Sequence, residues 1–85
     1  MAKKLYVGNL TFNMTDRELE EAFAEFGEIL SATVVKDRIS GRSKGFGFVE
    51  FANDEDADKA REALDGKEIK GRAVRIDQAS DQRRT

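Results

Sequence analysis

The 85-residue chain contains no cysteine, no histidine and no proline. Without cysteine or histidine, the sequence excludes disulfide bonds, thiolate chemistry and zinc sites of the usual kinds. No apolar run approaches the roughly 18 to 20 residues of a membrane-spanning helix, and the N-terminus lacks the apolar core of a signal peptide. We therefore expect an intracellular protein that is not secreted. Its length fits one small domain, near the lower limit at which a single hydrophobic core can stabilise the fold.

The chain also lacks an excess of positive charge, because 15 basic residues face 17 acidic ones and give a formal net charge of −2. The charges are nevertheless segregated. The segments 15–27 and 53–64, both read as helices, hold ten acidic and three basic residues, a balance of −7. The remainder holds seven acidic and twelve basic residues, a balance of +5. The predicted strands and loops are therefore the part suited to a negatively charged partner.

The most informative stretch is the octamer KGFGFVEF at positions 44–51. Its side chains alternate with the period of two that a strand requires. Val49 and Phe51 fall on one face and resemble an ordinary core face. Phe46 and Phe48 fall on the opposite face beside charged residues, where the sheet of a soluble protein is usually polar. These two rings are therefore either covered or exposed for a purpose.

Periodicity and helix-end signals predict the order β-α-β-β-α-β. The predicted strands are 3–9, 28–37, 44–52 and 72–78; the helices are 15–27 and 53–64; 37–43 is a polar turn and 67–70 an extra hairpin. Thr15 and Glu18 have capping-box spacing, and Asn53 can cap the second helix. Gly27 and Gly66 suit the helix C-terminal ends.

That order predicts an α+β, ferredoxin-like fold, with a four-stranded antiparallel sheet and both helices on one face. The domain should span 1–79 and be followed by a polar tail, 80–85. The predicted core comprises Leu5, Val7, Leu19, Ala22, Phe23, Phe26, Ile29, Ala32, Val34, Val49, Phe51, Ala57, Ala60, Ala63, Leu64, Val74 and Ile76. Tyr6, Phe46 and Phe48 should share the open face if the first and third strands are neighbours.

Two segments together resemble the RNA recognition motif: the hexamer LYVGNL at 5–10 and the octamer at 44–51, which fits the K/R-G-F/Y-G/A-F-V-x-F/Y pattern. The resemblance extends over about 3–79 and is greatest to small single-domain bacterial proteins and to organellar or glycine-rich RNA-binding proteins. It implies a monomeric single-stranded RNA-binding module in the cytoplasm or an organelle. Single-stranded DNA is a further possible ligand, and no catalysis, cofactor or metal is implied.

The resemblance also assigns site residues by position. In this family the second hexamer residue and the third and fifth octamer residues stack on bases, which here are Tyr6, Phe46 and Phe48. The candidates for phosphate or base-edge contacts are Lys44, Lys4, Arg75, Lys36, Arg38 and Arg42. Further candidates for base-edge contacts, or for flanking the rings, are Asn9, Thr33, Val35, Glu50, Asp77 and Gln78.

Several alternatives stay open from the sequence. Asn9, Asp77 and Gln78 could equally serve turns or strand ends, and the basic residues of 36–42 could simply form a solvated turn. The same fold could instead bind a peptide. A hydrolase of this fold is a third alternative, although the sequence offers no nucleophile beside a plausible base.

Overall fold

A computed structural model describes residues 2–79; the predicted tail, 80–85, lies outside this range. The elements are β1 (Lys3–Gly8), α1 (Asp16–Ala24), β2 (Ile29–Lys36), β3 (Ser43–Phe51), α2 (Asp54–Leu64), β4 (Glu68–Ile69), β5 (Arg72–Ala73) and β6 (Arg75–Gln78). Neither helix in this part of the chain has the length and apolar content needed to cross a bilayer.

The four long strands form one antiparallel sheet in the order β2-β3-β1-β6. The first and third strands are therefore neighbours, which was the condition for bringing the three aromatic rings together. In their register, Tyr6 lies opposite Phe48 and Gly8 lies opposite Phe46. Directly opposed residues share a face, so the predicted ferredoxin-like arrangement is confirmed, with the aromatic residues on one side of the sheet.

The core lies between the other face of the sheet and the two helices. The predicted inward residues of β1, β3 and the last strand are at most 4% exposed: Leu5, Val7, Val49, Phe51, Val74 and Ile76. From α1, Phe23 packs edge-to-face on Phe51 with ring centroids 6.3 Å apart. Because the helices cover only this face, the opposite face of the sheet is left open by the residues that the structure describes, 2–79.

One predicted core residue of α2 was wrong. Ala57 and Ala60 are fully buried, and Leu64 packs partly against the core, but Ala63 is exposed. A helix turns by about 100° per residue, so Ala63 lies about 120° around the axis from Ala57 and leaves the buried stripe. The contact face of α2 is therefore narrower than the run of small residues suggested.

The predicted start of α1 is confirmed as a capping box. The Thr15 hydroxyl accepts a hydrogen bond from the Glu18 amide, and the Glu18 carboxylate accepts one from the Thr15 amide, both at 3.1 Å. Asn53 is the N-cap of α2, but its side chain makes no capping hydrogen bond. Gly66, with φ +83°, follows the C-cap of α2 as predicted.

The predicted end of α1 at Gly27 was wrong, since the helix ends at Ala24 with Glu25 as C-cap. The Phe26 amide donates to the Phe23 carbonyl at 3.1 Å, and the Gly27 amide donates to the Ala24 carbonyl at 3.3 Å. These bonds span three residues rather than four, so the last turn tightens and the helix stops early.

The predicted last strand, 72–78, is divided in two. Its first part, β5, pairs with β4 in a hairpin, and only β6 joins the main sheet. The hairpin turn consists of Lys70 (φ +55°) and Gly71 (φ +88°), and two consecutive positive φ angles are what a type I′ turn requires. The prediction of an extra hairpin was therefore correct in its position. Its second strand, however, belongs to the segment 72–78 that was predicted to join the main sheet as a whole.

A register shift between Ile29 and Ser31 interrupts the pairing of β2 with β3. Ile29 and Ala32 differ in parity along the strand, yet both pack partly against the core. A bulge accounts for this, because an extra residue reverses the alternation of side chains. The predicted inward positions of β2 are thus all found on the core side.

An ion pair ties the hairpin to α1, with Lys70 Nζ 2.9 Å from Glu18 Oε2. The hydrogen bond from Lys70, and next that from the Thr15 amide, lowers the pKa of Glu18 below its ordinary 4.5. A carboxylate with a lowered pKa in the folded state stabilises the protein above its unfolded pKa. That contribution is lost as the pH falls through the folded-state value.

We therefore expect Glu18→Gln to lower the urea midpoint at pH 7 and to have progressively less effect as the pH drops below about 4.5. Glu20→Gln is the matched control, because Glu20 is an exposed carboxylate on the same helix. It should leave the pH profile of the urea midpoint unchanged. A Glu18→Gln effect of equal size at pH 7 and pH 3 would contradict the role of this carboxylate.

Candidate nucleic-acid interface

Three aromatic side chains form a cluster on the open face of the sheet; Tyr6, Phe46 and Phe48 are called the triad below. The ring centroids are 5.6 Å apart for Tyr6 and Phe46, 5.9 Å for Tyr6 and Phe48, and 6.1 Å for the two phenylalanines. All three side chains are partly exposed. Such a cluster presents adjacent apolar surfaces on which planar rings can stack.

Gly8 gives the tyrosine ring its position. A Cβ atom at Gly8 would lie 2.8 Å from the Tyr6 hydroxyl oxygen and 2.9 Å from a ring carbon. The ring therefore lies over the glycine along the sheet, next to Phe46, which pairs with Gly8 across the strands. The glycine in the hexamer is thus a local condition for the shape of the triad.

Several sequence-predicted residues surround the triad on the same face. The Lys4 ammonium lies 5.9 Å from the Phe48 ring centroid, within the range of a cation–π contact, and Lys4 pairs with Glu50. Thr33 lies opposite Phe48 on β2. Val35, two residues further along the strand, is half-buried on the same side. These residues therefore border the triad on two sides, toward β2 and toward the start of β1.

An open hollow of about 300 Å³, the triad hollow, lies beside Tyr6 and Phe46 and is also lined by Lys44, Phe12 and Arg72. Lys44 is therefore next to the rings, where the sequence predicted it. Phe12 and Arg72 were not predicted to belong here. The two basic side chains place positive charge within reach of any anionic group that accompanies a base on the triad.

Asn9 holds Arg72 in this place. The Asn9 amide nitrogen donates to the Ala73 carbonyl at 2.6 Å, and its oxygen accepts from the Arg72 guanidinium at 2.6 Å. Its backbone is left-handed, with φ +61°, a conformation that asparagine tolerates better than most residues. Of the two roles that the sequence left open for Asn9, the structure thus supports the structural one: both ends of its amide bind the hairpin.

The β6 side of the sheet divides the remaining candidates. Arg75 and Asp77 lie opposite Gly8 and Tyr6, and are therefore on the face of the triad. Gln78 lies opposite Leu5, so the register directs it to the helix side of the sheet and not to the face of the triad. The pairing of directly opposed residues on one face decides both placements.

An edge hollow of about 490 Å³ lies at this side. It is lined by Tyr6, Gly8, Asn9, Arg61, Asp65, Arg75, Ile76 and Asp77. Its two arginines are accompanied by two carboxylates, so the hollow carries no clear excess of either charge. The Asp65 carboxylate accepts the Ile76 amide at 2.9 Å, and the Asp77 carboxylate accepts the Gln78 amide at 2.9 Å.

The basic residues of 36–42 lie apart from the triad. Lys36 and Arg42 line a loop hollow of about 630 Å³ together with Phe12, Asn13, Met14, Thr15, Gly41 and Ser43. Lys36 pairs with Ser43 beyond a second register shift of β2, and none of the three triad rings lines this hollow. Arg38 is exposed in the adjoining turn. The basic residues predicted to contact phosphates or base edges therefore fall into two groups, one around the triad and one at this loop.

Asp37 organises that turn. Its carboxylate accepts the amides of Ile39 at 2.8 Å and Ser40 at 2.9 Å. These hydrogen bonds, the one from Ser40 first, hold the pKa of Asp37 below its ordinary 3.8, and the charge of Lys44 adds to them. The turn predicted at 37–43 is confirmed, and its shape keeps Arg42 beside the start of β3.

The comparisons with known proteins agree with this geometry. The family model for the RNA recognition motif matches residues 5–75. The chain belongs to the RNA recognition motif family. It is 46% identical over 81 residues to "Glycine-rich RNA-binding protein 4, mitochondrial" of Arabidopsis thaliana, covering 95% of this chain and 60% of the relative. It is 49% identical over 80 residues to "Glycine-rich RNA-binding protein 1" of Mycosarcoma maydis, covering 94% and 46%. The chain thus spans about half the length of these relatives.

Solved structures of RNA recognition motifs superpose closely on this chain. The second such domain of the yeast poly(U)-binding protein has a TM-score of 0.86 at 36% identity, covering 96% of this chain and 99% of that one. A Sex-lethal protein–RNA complex has a TM-score of 0.86 at 30% identity, covering 91% and 47%. In both comparisons the superposition covers more than nine tenths of this chain.

Sequence reasoning missed two residues near the triad of this RNA recognition motif. Arg72 reaches the triad only because the hairpin folds back onto Asn9, 63 residues away in sequence. Phe12 lies in the loop between β1 and α1, and no strand or helix period applies there. The loop at 11–15 contains two large apolar residues, Phe12 and Met14, and neither belongs to a predicted core stripe. The structure buries Met14 and leaves Phe12 exposed, a difference that the sequence does not reveal.

Proposed function

We propose that this RNA recognition motif is a module for binding single-stranded RNA, that bases stack on the triad, and that the surrounding cations contact phosphates. No bond is made or broken in this function. The observation that carries it is the triad itself: three partly exposed rings, 5.6–6.1 Å apart, on the face that the helices leave open. The family assignment and the RNA-binding names of the relatives support the ligand class.

The energetics favour a short footprint. Each stack of a base on an aromatic ring contributes about 1–3 kcal/mol and accepts any base, because every base has a π-face. Three rings therefore correspond to about two to four nucleotides and to micromolar-range affinity. Because bases must be splayed out to stack, a paired A-form duplex is a poor ligand.

Positive charge close to the rings supplies the remaining attraction. Lys4, Lys44, Arg72 and Arg75 stand around the triad, whereas the acidic side chains are concentrated on the helices. Glu50, Asp77 and Thr33 border the rings and are suited to hydrogen bonds with base edges, which is where sequence preference arises. The segregation of charge therefore explains how a net acidic chain attracts a polyanion.

The module acts as a monomer inside the cell, in the cytoplasm or in an organelle. Three Arabidopsis relatives carry "mitochondrial" in their names, which supports the organellar alternative. Single-stranded DNA offers the same π-faces, and the 2′-hydroxyl is the group by which RNA would be preferred. The peptide-binding alternative gains no support from relatives that are named for RNA.

A salt titration tests this function directly. The ligand is eight-nucleotide RNA of random sequence with a 5′-fluorescein label, and its association constant is measured by fluorescence anisotropy. The logarithm of this constant should fall linearly with the logarithm of the KCl concentration between 50 and 300 mM. A slope between about −1.4 and −2.8 is expected for two to four contacted phosphates, at about 0.7 per phosphate on a single strand. A hairpin duplex of the same length should bind much more weakly. The absence of binding at 50 mM KCl would refute the proposed function.

A further inference from the structure

We propose that Phe12 is a fourth platform for a base, and that single-stranded RNA continues over it from the triad into the loop hollow of Lys36 and Arg42. This inference rests on the proposed function and extends the ligand from about three nucleotides to five or more. The observation behind it is that Phe12 lines both the triad hollow and the loop hollow, and so lies between them.

The exposure of Phe12 distinguishes it from a core residue. Its side chain is 67% exposed, although large apolar side chains usually contribute to stability by being buried. Isolated exposed apolar residues are common, and Ile39 at 97% and Leu30 at 54% are examples in this chain. Neither of these two residues lines any of the three hollows. The position of Phe12, rather than its exposure alone, therefore suggests a role.

The local backbone holds Phe12 beside the triad. The Leu10 amide donates to the Gly45 carbonyl at 2.8 Å, which ties the end of β1 to the irregular start of β3. Gly45 has φ +85°, and a Cβ atom there would lie 3.4 Å from a Phe12 ring carbon. The ring thus rests against a glycine backbone next to Phe46, as Tyr6 rests against Gly8.

The charged side chains of the two neighbouring hollows indicate in which direction the RNA leaves the triad. The lining of the loop hollow contains Lys36 and Arg42 and no carboxylate. The edge hollow, on the other side of the triad, is lined by Arg61 and Arg75 together with the carboxylates of Asp65 and Asp77. A polyanion leaving the triad should therefore be drawn toward the loop hollow. Its volume of about 630 Å³ lies within the roughly 300–1,000 Å³ typical of ligand sites.

The test compares two RNA lengths in the same variants. Random-sequence RNA of three nucleotides covers only the triad, whereas eight nucleotides can also reach Phe12. Binding of both would be followed by amide chemical shifts and, for the longer RNA, by anisotropy. Phe12→Ala should weaken binding of the eight-nucleotide RNA by about 5- to 150-fold, the effect of losing one stack, and that of the three-nucleotide RNA by less than about twofold.

The controls separate stacking from shape. Phe12→Tyr should bind like the wild type, and Phe12→Leu, which keeps the apolar bulk without a π-face, should behave like Phe12→Ala. Ile39→Ala is the matched control, because Ile39 is an exposed apolar residue of the neighbouring loop. It should change neither affinity. Arg42→Ala should reduce the salt slope of the longer RNA by about 0.7, and Lys59→Ala, on exposed α2 surface, should not.

Two results would overturn the inference while leaving the triad intact as a site. One is an equal loss for both RNA lengths in Phe12→Ala, which would mean that the ring only shapes the start of β3. The other is an unchanged affinity for the longer RNA. Failure of the proposed function would give a different result: the wild type would bind neither RNA, or loss of the triad rings would not change the affinity. In that case the inference about Phe12 would also be refuted.

Discussion

Replacing Phe46 and Phe48 together by alanine is expected to weaken binding of single-stranded RNA by at least about 30-fold. The reason is the loss of two stacking surfaces, each contributing about 1–3 kcal/mol, where tenfold in affinity corresponds to about 1.4 kcal/mol. Neither side chain belongs to the buried core, so the fold should persist. Anisotropy with labelled eight-nucleotide random RNA measures the affinity, and circular dichroism confirms the fold.

Leu30→Ala is the matched control for this experiment. Leu30 is also an apolar side chain of the sheet, 54% exposed, but it lies at the bulged start of β2 and not in the triad. Its replacement should leave RNA affinity within about twofold of the wild type. If the double alanine variant retained full affinity at moderate salt, the stacking mechanism would be refuted even though the family assignment would stand.

The fold and the triad could be predicted because they depend on periodicities that are local in sequence. A strand alternates with a period of two, so the octamer alone separates Val49 and Phe51 from Phe46 and Phe48. The neighbour relation of the first and third strands was only a condition of the sequence prediction, and the register of Tyr6 with Phe48 fulfils it. The family model confirms that the chain belongs to the RNA recognition motif family.

The missed features depend on contacts or irregularities that no period encodes. Asn9 and Arg72 meet only after the hairpin has folded, and the direction of Gln78 depends on where β6 starts. The early end of α1 arises from a tightened last turn, which sequence spacing does not reveal. Consequently the rings of the interface were predictable, whereas much of its charged surroundings required the tertiary structure.

Phe23→Ala is expected to have the opposite phenotype, a large loss of stability without direct loss of RNA contacts. Phe23 is fully buried and packs on Phe51, and removing such a ring costs about 3–5 kcal/mol. Since natural domains have only about 5–15 kcal/mol in total, and one of this size loses about 4–8 °C per kcal/mol, the melting temperature should fall by about 12–40 °C. Phe26→Ala, at a partly buried position of the same segment, should cost clearly less.

The two sets of variants can be crossed in one measurement, because a ligand that binds only the folded state raises stability by RT ln(1 + [L]/Kd). Phe23→Ala keeps the triad, so a hundredfold excess of RNA over Kd should restore about 2.7 kcal/mol and much of the lost melting temperature. The Phe46→Ala/Phe48→Ala variant should start near wild-type stability and gain little from the same RNA. If RNA failed to stabilise Phe23→Ala while still binding the wild type, the helix-covered core and the open aromatic face would be coupled. The assignment of core packing to one face of β3 and of RNA binding to the other would then be wrong.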